Sequence, residues 1–191
     1  MPIKMNLKNI TLLFWFSFQF LPVGFAQKAT LDTSSSSATW TGFAEVGNYR
    51  QSGSIRISAA NLEIANKIIR AGRIVFDMNS LTHEDKNLEA HLKAEDFFFV
   101  DSYPIATFEF MNMVHNQVTG TLTMRGKSNV ISFPVDTTFM DYQLVIQGKA
   151  RIDRTKFDIK YNSKSFFQDL GNYAIKDLFD VEFHLVFNLT K

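Results

Sequence analysis

The sequence predicts an all-β fold, an antiparallel β-barrel or β-sandwich with one short helix early in the chain. Apolar and polar residues alternate with a period of two in many short segments, which is the pattern of half-buried strands. Turn-forming residues separate these segments at similar intervals. One stretch, Lys86–Glu95, has a convincing helical pattern, because Leu88 and Leu92 lie four residues apart on one face.

The strands follow one another from Trp40 onward. The segments that alternate or form apolar runs are Ser54–Ser58, Ile68–Asp77, Val118–Arg125, Ile131–Val135, Tyr142–Ile152 and Val181–Leu189. The last is the clearest, since its apolar residues oppose Glu182 and His184. Turns are expected at Gly53, Asn79, Asn116, Gly126 and Asp141. Asp85 or Thr82 is expected to cap the helix, and a second short helix or ordered loop is a candidate near residues 163–173.

The N-terminal residues 1–26 are typical of a cleavable secretory signal. Lys4 and Lys8 precede an uncharged run that ends in Val-Gly-Phe-Ala, so cleavage is expected after Ala26. The alternative is an uncleaved N-terminal anchor. Residues 27–39 are rich in Ser and Thr and predict a flexible lead-in, and residues 40–191 predict the single folded domain. The protein is therefore expected to be periplasmic or secreted, without stable membrane insertion after cleavage.

Composition narrows the function classes. The chain has 20 Lys and Arg against 19 Asp and Glu, a balance that favours neither a nucleic-acid partner nor an anionic membrane surface. It has no Cys, so core packing must stabilise the fold without disulfides, and thiolate catalysis is excluded. The 20 Phe residues favour strands, and they suit either a filled core or the wall of an apolar pocket.

A small outer-membrane barrel is the rival to a water-soluble one. Such barrels use strands of about 9–11 residues that point apolar side chains outward. Several strands here look shorter, and the chain ends on Thr190-Lys191 rather than on an aromatic residue. The sequence therefore favours a barrel with its apolar residues inside, where closure removes the exposed strand edges.

Three motifs, in order, resemble the YceI-like family. The family's run H-L-x-S-x-D-F-F-D-V-x-x-Y-P-x-x-x-F matches this chain at His91, Leu92, Asp96, Phe97, Phe98, Val100, Tyr103, Pro104 and Phe108. Gly120–Lys127 is similar to the family's G-x-L-T-x-R-G-x and is followed by Phe133-Pro134-Val135. Ile152–Phe157 is similar to its I-D-R-x-x-F. The resemblance covers about residues 40–190.

The chain departs from the family pattern at three places. Leu88-Glu89 replaces an Arg-Asp pair at the helix, Phe99 replaces an Asp, and Asp158 replaces a Gly. The first two affect polar contacts at the helix and leave the apolar pattern intact.

The resemblance implies an extended, lipocalin-like antiparallel barrel that is exported to the periplasm. It also implies an elongated apolar channel for polyisoprenoid chains, such as ubiquinone-like lipids, with no enzymatic activity established for the family. No cofactor and no catalytic residue are expected. The oligomeric state is left open. The alternatives are a hydrolase or isomerase acting on a lipid or small apolar substrate, and a filled barrel with a structural or stress-related role.

The expected channel lining consists of apolar residues near the motifs and on the inward strand faces. The candidates are Phe97, Phe98, Phe108, Phe110, Leu122, Met124, Phe133, Phe157, Phe183 and Phe187. Each is also compatible with ordinary core packing.

Two polar residues are candidates for a lipid head group. His91 lies in the first motif and is a hydrogen-bonding candidate, and Arg154 is a candidate for gripping a phosphate. The alternative for Arg154 is closure of one barrel end through a carboxylate other than that of Asp153. A metal site at His83, Glu84, Asp85 and His91 is a further alternative, although a solvated helix start explains the same residues and no metal is predicted.

Overall fold

The computed structural model describes residues 27–190, and the signal predicted for residues 1–26 lies outside them. These residues form ten strands, one α-helix and three short 3₁₀-helices. The strands are β1 Gln27–Leu31, β2 Ser37–Phe43, β3 Arg50–Ser54, β4 Arg56–Ala65, β5 Ile68–Asp77, β6 Ile105–Val114, β7 Gln117–Met124, β8 Lys127–Phe139, β9 Gln143–Asp153 and β10 Leu178–Leu189. Helix α1 is Lys86–Lys93, and the 3₁₀-helices are Met78–Ser80, Arg154–Phe157 and Gly171–Tyr173. Within residues 27–190 no helix has the length and apolarity needed to cross a membrane.

Eight of the strands close into an antiparallel barrel, so the all-β prediction is confirmed. The hydrogen-bonded order is β1-β4-β5-β6-β7-β8-β9-β10, and β1 returns to β10. The short β1 closes the circuit because its two edges pair with different strands: Ala29 lies opposite both Leu62 of β4 and Leu189 of β10. The β2–β3 hairpin extends the sheet beside the first half of β10.

Alternation along the strands directs apolar side chains into the barrel. On β7, Val118, Leu122 and Met124 are buried and the intervening threonines are partly exposed, as the sequence predicts. On β9, Leu144, Ile146, Ala150 and Ile152 point inward in the same way. The result is one continuous core that includes residues of every barrel strand.

Helix α1 begins where the sequence predicts. The Asp85 carboxylate accepts hydrogen bonds from the backbone N–H groups of Asn87 and Leu88, which satisfies donors left free in the first helical turn. Leu92 is the buried residue of the helix and packs on the core at one end of the barrel. This end therefore carries a helix, and its neighbouring loops define the mouth described below.

One local prediction is corrected and another is confirmed. Residues 27–39 are not a uniformly flexible lead-in, because β1 and the start of β2 form there through pairing with distant strands, which a local pattern does not reveal. The short helix or ordered loop predicted near residues 163–173 contains the 3₁₀-helix Gly171–Tyr173.

Gly53, expected in a turn, lies in β3 opposite Trp40. A methyl group at this position would lie 1.8 Å from the carbonyl oxygen of Thr82 and 2.8 Å from Trp40 Nε1. Glycine is therefore needed for close packing rather than for a turn.

Candidate functional site

The barrel interior contains an apolar cavity of about 120 Å³. Its wall is built from side chains of β2 and of strands β4 to β10, with contributions from the segment that precedes α1. The lining residues are Trp40, Ile55, Leu62, Ile69, Gly72, Ile74, Phe76, Met78, Leu81, Phe98, Ala106, Phe108, Phe110, Val118, Leu122, Met124, Ile131, Phe133, Val135, Ile146, Ala150, Ile152, Phe179, Val181, Phe183, Leu185 and Phe187. None of these residues is titratable, so the wall suits a hydrocarbon and supplies no acid or base.

The cavity wall follows the length of β10. Alternate residues of β10, from Phe179 to Phe187, all line the cavity. At about 3.3 Å per residue, this stretch of strand spans roughly 26 Å. Aromatic rings pack against one another along the wall, with ring centroids 5.3 Å apart for Phe108 and Phe133 and 5.7 Å apart for Phe133 and Phe183.

Most residues predicted to line the channel lie on this wall. They are Phe98, Phe108, Phe110, Leu122, Met124, Phe133, Phe183 and Phe187. Two do not. Phe97 faces a second cavity at the mouth, and Phe157 lines neither cavity. Phe157 belongs to a 3₁₀-helix instead of a strand, and it is 1% exposed within the packed core.

A second cavity, of about 390 Å³, lies at the end of the barrel that carries α1. We call it the mouth cavity. Its wall combines apolar residues with polar ones from three segments: the β2–β3 hairpin, α1 and the loop before β10. The polar and charged residues that line it are Tyr49, Gln51, Asp85, Arg154, Asn172, Tyr173 and Lys176. The mouth cavity is therefore the part of the site that offers hydrogen bonds.

Arg154 lines the mouth cavity, but its guanidinium is already bound to the chain. It donates to the carbonyl oxygens of Lys176, Ile159 and Ile175 at 2.9–3.1 Å, and it lies 3.6 Å from a carboxylate oxygen of Asp177. Burial lowers the pKa of this guanidinium, which the nearby carboxylates partly oppose. Arg154 thus holds the loop before β10 in place. Binding of a phosphate by Arg154 stays a prediction.

His91 is among the lining residues of neither cavity. Its Nε2 lies 2.7 Å from a carboxylate oxygen of Asp96, and its ring contacts Tyr161 edge to face, with centroids 4.6 Å apart. The motif positions therefore bring His91 and Asp96 together, but they do not bring His91 to the ligand cavity. A head-group contact by His91 is not supported by this placement.

The residues of the alternative metal site are dispersed. His83 Nε2 lies 2.8 Å from the side-chain oxygen of Gln51, the Asp85 carboxylate caps α1, and His91 binds Asp96. Residues 27–190 contain no group of three or more His, Cys, Asp or Glu side chains with the geometry of a metal site.

Sequence reasoning missed several contributors. Trp40 and Phe179 border both cavities, and Asn172 and Lys176 line the mouth cavity. The alternation of the last strand, extended back to Phe179, could have identified that residue. Asn172 and Lys176 lie in a loop, where no periodic pattern marks a binding residue.

Known proteins share this fold. The family model described as the YceI-like domain matches residues 29–187. BcnA of Burkholderia cenocepacia has a similar structure, with a TM-score of 0.68 and 22% identity over 82% of this chain and 98% of that one. A domain of Saccharophagus degradans, described as polyisoprenoid binding and implicated in plant cell wall breakdown, has a TM-score of 0.64 and 14% identity over 85% of this chain and 98% of that one.

Curated sequence relatives match a shorter stretch. A UPF0312 protein of Staphylococcus aureus (strain bovine RF122) is 28% identical over 44% of this chain and 53% of its own length. Another from the strain N315 is 34% identical over 30% of this chain and 34% of its own length. The chain thus spans about half, or less, of the curated relatives it matches. The family model covers nearly all of the described residues, and the chain belongs to the YceI-like domain family.

Proposed function

We propose that this protein is an exported, non-catalytic binding protein that holds the long apolar chain of an isoprenoid-type lipid inside its barrel, for transport or storage. The observation that carries the proposal is the cavity wall. It is apolar throughout and follows β10 from Phe179 to Phe187. An isoprenoid chain has no hydrogen-bonding groups, so it needs only apolar contacts, and an apolar wall provides them.

The family supports this ligand class. The Saccharophagus degradans domain described as polyisoprenoid binding has the same fold. At 14% identity this likeness concerns the fold, and the ligand of this chain is inferred from its own cavity. An enzyme acting on a lipid would require convergent acid–base groups at the cavity, and the side chains that line it include none.

The energetics are adequate for binding. Burial of ten chain carbons at about 0.8 kcal/mol each gives about 8 kcal/mol, the equivalent of a micromolar dissociation constant before ordering costs are subtracted, and a longer chain offsets those costs. An apolar cavity of ~150 Å³ holds one benzene, so a cavity of about 120 Å³ has room for only a few chain carbons as it stands. A longer chain requires lining side chains to rotate, and Met124 is suited to this because its thioether adapts to irregular shapes.

The same volume favours a second candidate, a filled barrel with a structural role. Its interior would stay packed, and no lipid would bind. The lipid-binding candidate predicts that filling the cavity by mutation weakens lipid binding, whereas the filled barrel predicts that the wild-type protein already binds no lipid.

The test is therefore a filling substitution with a matched control. Ala150 lines the cavity, whereas Ala59 is exposed on β4. We expect Ala150→Leu to weaken binding of a polyprenyl quinone by about tenfold or more while the protein remains folded, because the added side chain occupies the chain's space. Ala59→Leu should leave the affinity unchanged. If purified wild-type protein binds no such lipid, or if both variants bind as wild type does, the proposal is wrong.

Export is tested separately. Processing after Ala26 would give a mature protein that begins at Gln27. N-terminal sequencing of the protein recovered from outside the cytoplasm should find this residue first. An intact N-terminus would favour the uncleaved anchor.

A further inference from the structure

The two cavities meet at three aromatic residues. Trp40, Phe98 and Phe179 line both the barrel cavity and the mouth cavity. Trp40 is held in place because its Nε1 donates to the carbonyl oxygen of Thr82 at 3.2 Å. Phe98 and Phe179 are half-buried and meet edge to face, with ring centroids 6.3 Å apart. We call these three residues the aromatic septum.

The chemistry changes across the septum. The barrel cavity is lined by apolar residues alone, whereas the mouth cavity includes amide and charged side chains. Several of these are occupied. Gln51 binds His83 and Tyr49, the Asp85 carboxylate caps α1, and Arg154 binds backbone carbonyls.

Three polar side chains of the mouth cavity remain available, those of Asn172, Tyr173 and Lys176, and of these the amide and the ammonium can each donate more than one hydrogen bond. In the described part of the chain, neither the Asn172 amide nor the Lys176 ammonium has a side-chain hydrogen-bond or ion-pair partner. Both can donate hydrogen bonds, and both belong to the loop that Arg154 holds through its carbonyls. A ligand group facing them is therefore best matched if it carries acceptor oxygens.

We propose that the aromatic septum divides one amphiphilic ligand between the two cavities. The apolar chain lies in the barrel, and a compact head group with carbonyl or phosphoryl oxygens lies in the mouth cavity, bound by Asn172 and Lys176. This inference rests on the proposed function and adds the ligand's polarity and orientation. A polar head in the barrel cavity would lose its hydrogen bonds to water without replacement.

The septum also controls entry. Phe98 and Phe179 lie in contact across the junction, so one of the rings must rotate before a chain passes. They belong to different segments, the turn after α1 and the start of β10, and neither ring carries a hydrogen-bonding group that would fix it. Truncating either ring should open the junction permanently.

The head-group test uses three probes of equal chain length: a polyprenyl quinone, a polyprenyl phosphate and the polyprenyl hydrocarbon. We expect the double variant Asn172→Ala/Lys176→Gln to lose about tenfold affinity for the quinone, the phosphate or both, as expected for two lost hydrogen bonds. Its affinity for the hydrocarbon should not change. Lys176→Gln alone should weaken binding of the phosphate more than that of the quinone, because it removes a positive charge beside the head group, and the probe that wild type binds more tightly identifies the preferred head group.

The matched control places the same substitutions on the outer sheet surface. Asn61 and Lys28 lie exposed on β4 and β1, and Asn61→Ala/Lys28→Gln should bind all probes as wild type does. If the mouth variant binds every probe with wild-type affinity, the inference fails and the proposed function stands. If wild type binds no probe, both fail.

The gate is tested by kinetics. Phe179→Ala should increase the dissociation rate of the hydrocarbon probe by about tenfold or more, and Phe179→Leu should do so less. Phe139→Ala is the control, because Phe139 packs against the core and lines neither cavity. Thermal unfolding verifies that each variant is folded. Equal dissociation rates in Phe179→Ala, Phe98→Ala and wild type would exclude the gate.

Discussion

The ring of Phe183 on β10 lies against Gly148 on β9, its direct cross-strand partner. A methyl group on Gly148 would stand 2.8 Å from Phe183 Cζ and 2.7 Å from the carbonyl oxygen of Pro134. Because that oxygen belongs to the backbone, it has little freedom to move away. The close approach of Phe183 to the barrel wall therefore depends on a glycine at position 148.

This relationship predicts that Gly148→Ala destabilises the protein by about 1–3 kcal/mol, the usual range for overpacking. Gly42→Ala is the control, since the nearest atom to its added methyl group would be 4.0 Å away. Urea unfolding of both variants compares the two sites. If the Gly148→Ala and Gly42→Ala variants have equal free energies of unfolding, the barrel wall can move to accommodate a methyl group at position 148.

Phe157 is predicted to act through packing alone. It is 1% exposed and lines neither cavity, so Phe157→Ala should cost about 3–5 kcal/mol of stability. Phe157→Leu should recover most of this loss and bind a polyprenyl quinone as wild type does. If Phe157→Leu is folded but binds the quinone about tenfold more weakly, Phe157 contributes to the ligand site after all.

Glu89 should make the stability of the folded protein depend on pH. A hydrogen bond from Lys86 at 2.8 Å, with others from the backbone N–H of His83 and from Lys93, lowers its pKa to about 2. Because the folded pKa lies below the unfolded value of ~4.3, the contribution of Glu89 is complete above that pH and is lost as the pH falls towards 2.

The measurement is the thermal unfolding midpoint of wild type and of Glu89→Gln from pH 7 to pH 2. Wild type should be the more stable at neutral pH, and the difference should disappear near pH 2. A difference that stays constant over the whole range would contradict the lowered pKa.

Asp158 is predicted to tolerate glycine and to reject a β-branched residue. Its φ angle is 64°, a left-handed conformation that caps the 3₁₀-helix Arg154–Phe157. Asp158→Gly removes the steric penalty but also an ion pair with Lys160, so its free energy of unfolding should stay within about 1 kcal/mol of wild type. Asp158→Val should lose more than ~1 kcal/mol. Equal stability of the Gly and Val variants would contradict this.

Local patterns in the sequence predicted the strands that carry their own alternation. The apolar run Ile68–Asp77 coincides with β5, and Asp85 caps α1 as expected. By contrast, β1 has too few residues for a recognisable period, and it is stabilised by pairing with β4 and β10. Its existence follows from barrel closure, which is a property of the whole chain.

The same distinction applies to the site. Alternation identified Leu122, Met124 and Phe133 on the inner wall because inward residues of a closed sheet must face the cavity. Phe157 is a candidate because it ends the third motif, and no alternation marks its direction; a 3₁₀-helix turns it into the core. Alternation also could not identify Asn172 or Lys176, since their loop has no periodic pattern and reaches the mouth cavity only after folding.

Methionine methyl groups allow the most direct test of an apolar chain inside the barrel. Met78 and Met124 line the cavity, whereas Met111 and Met140 are exposed. In a ¹³C-methyl spectrum, titration with a polyprenyl quinone should shift the Met78 and Met124 signals and leave those of Met111 and Met140 unchanged. Binding that shifts only the exposed methionines, or none of the four, would contradict a ligand in the barrel.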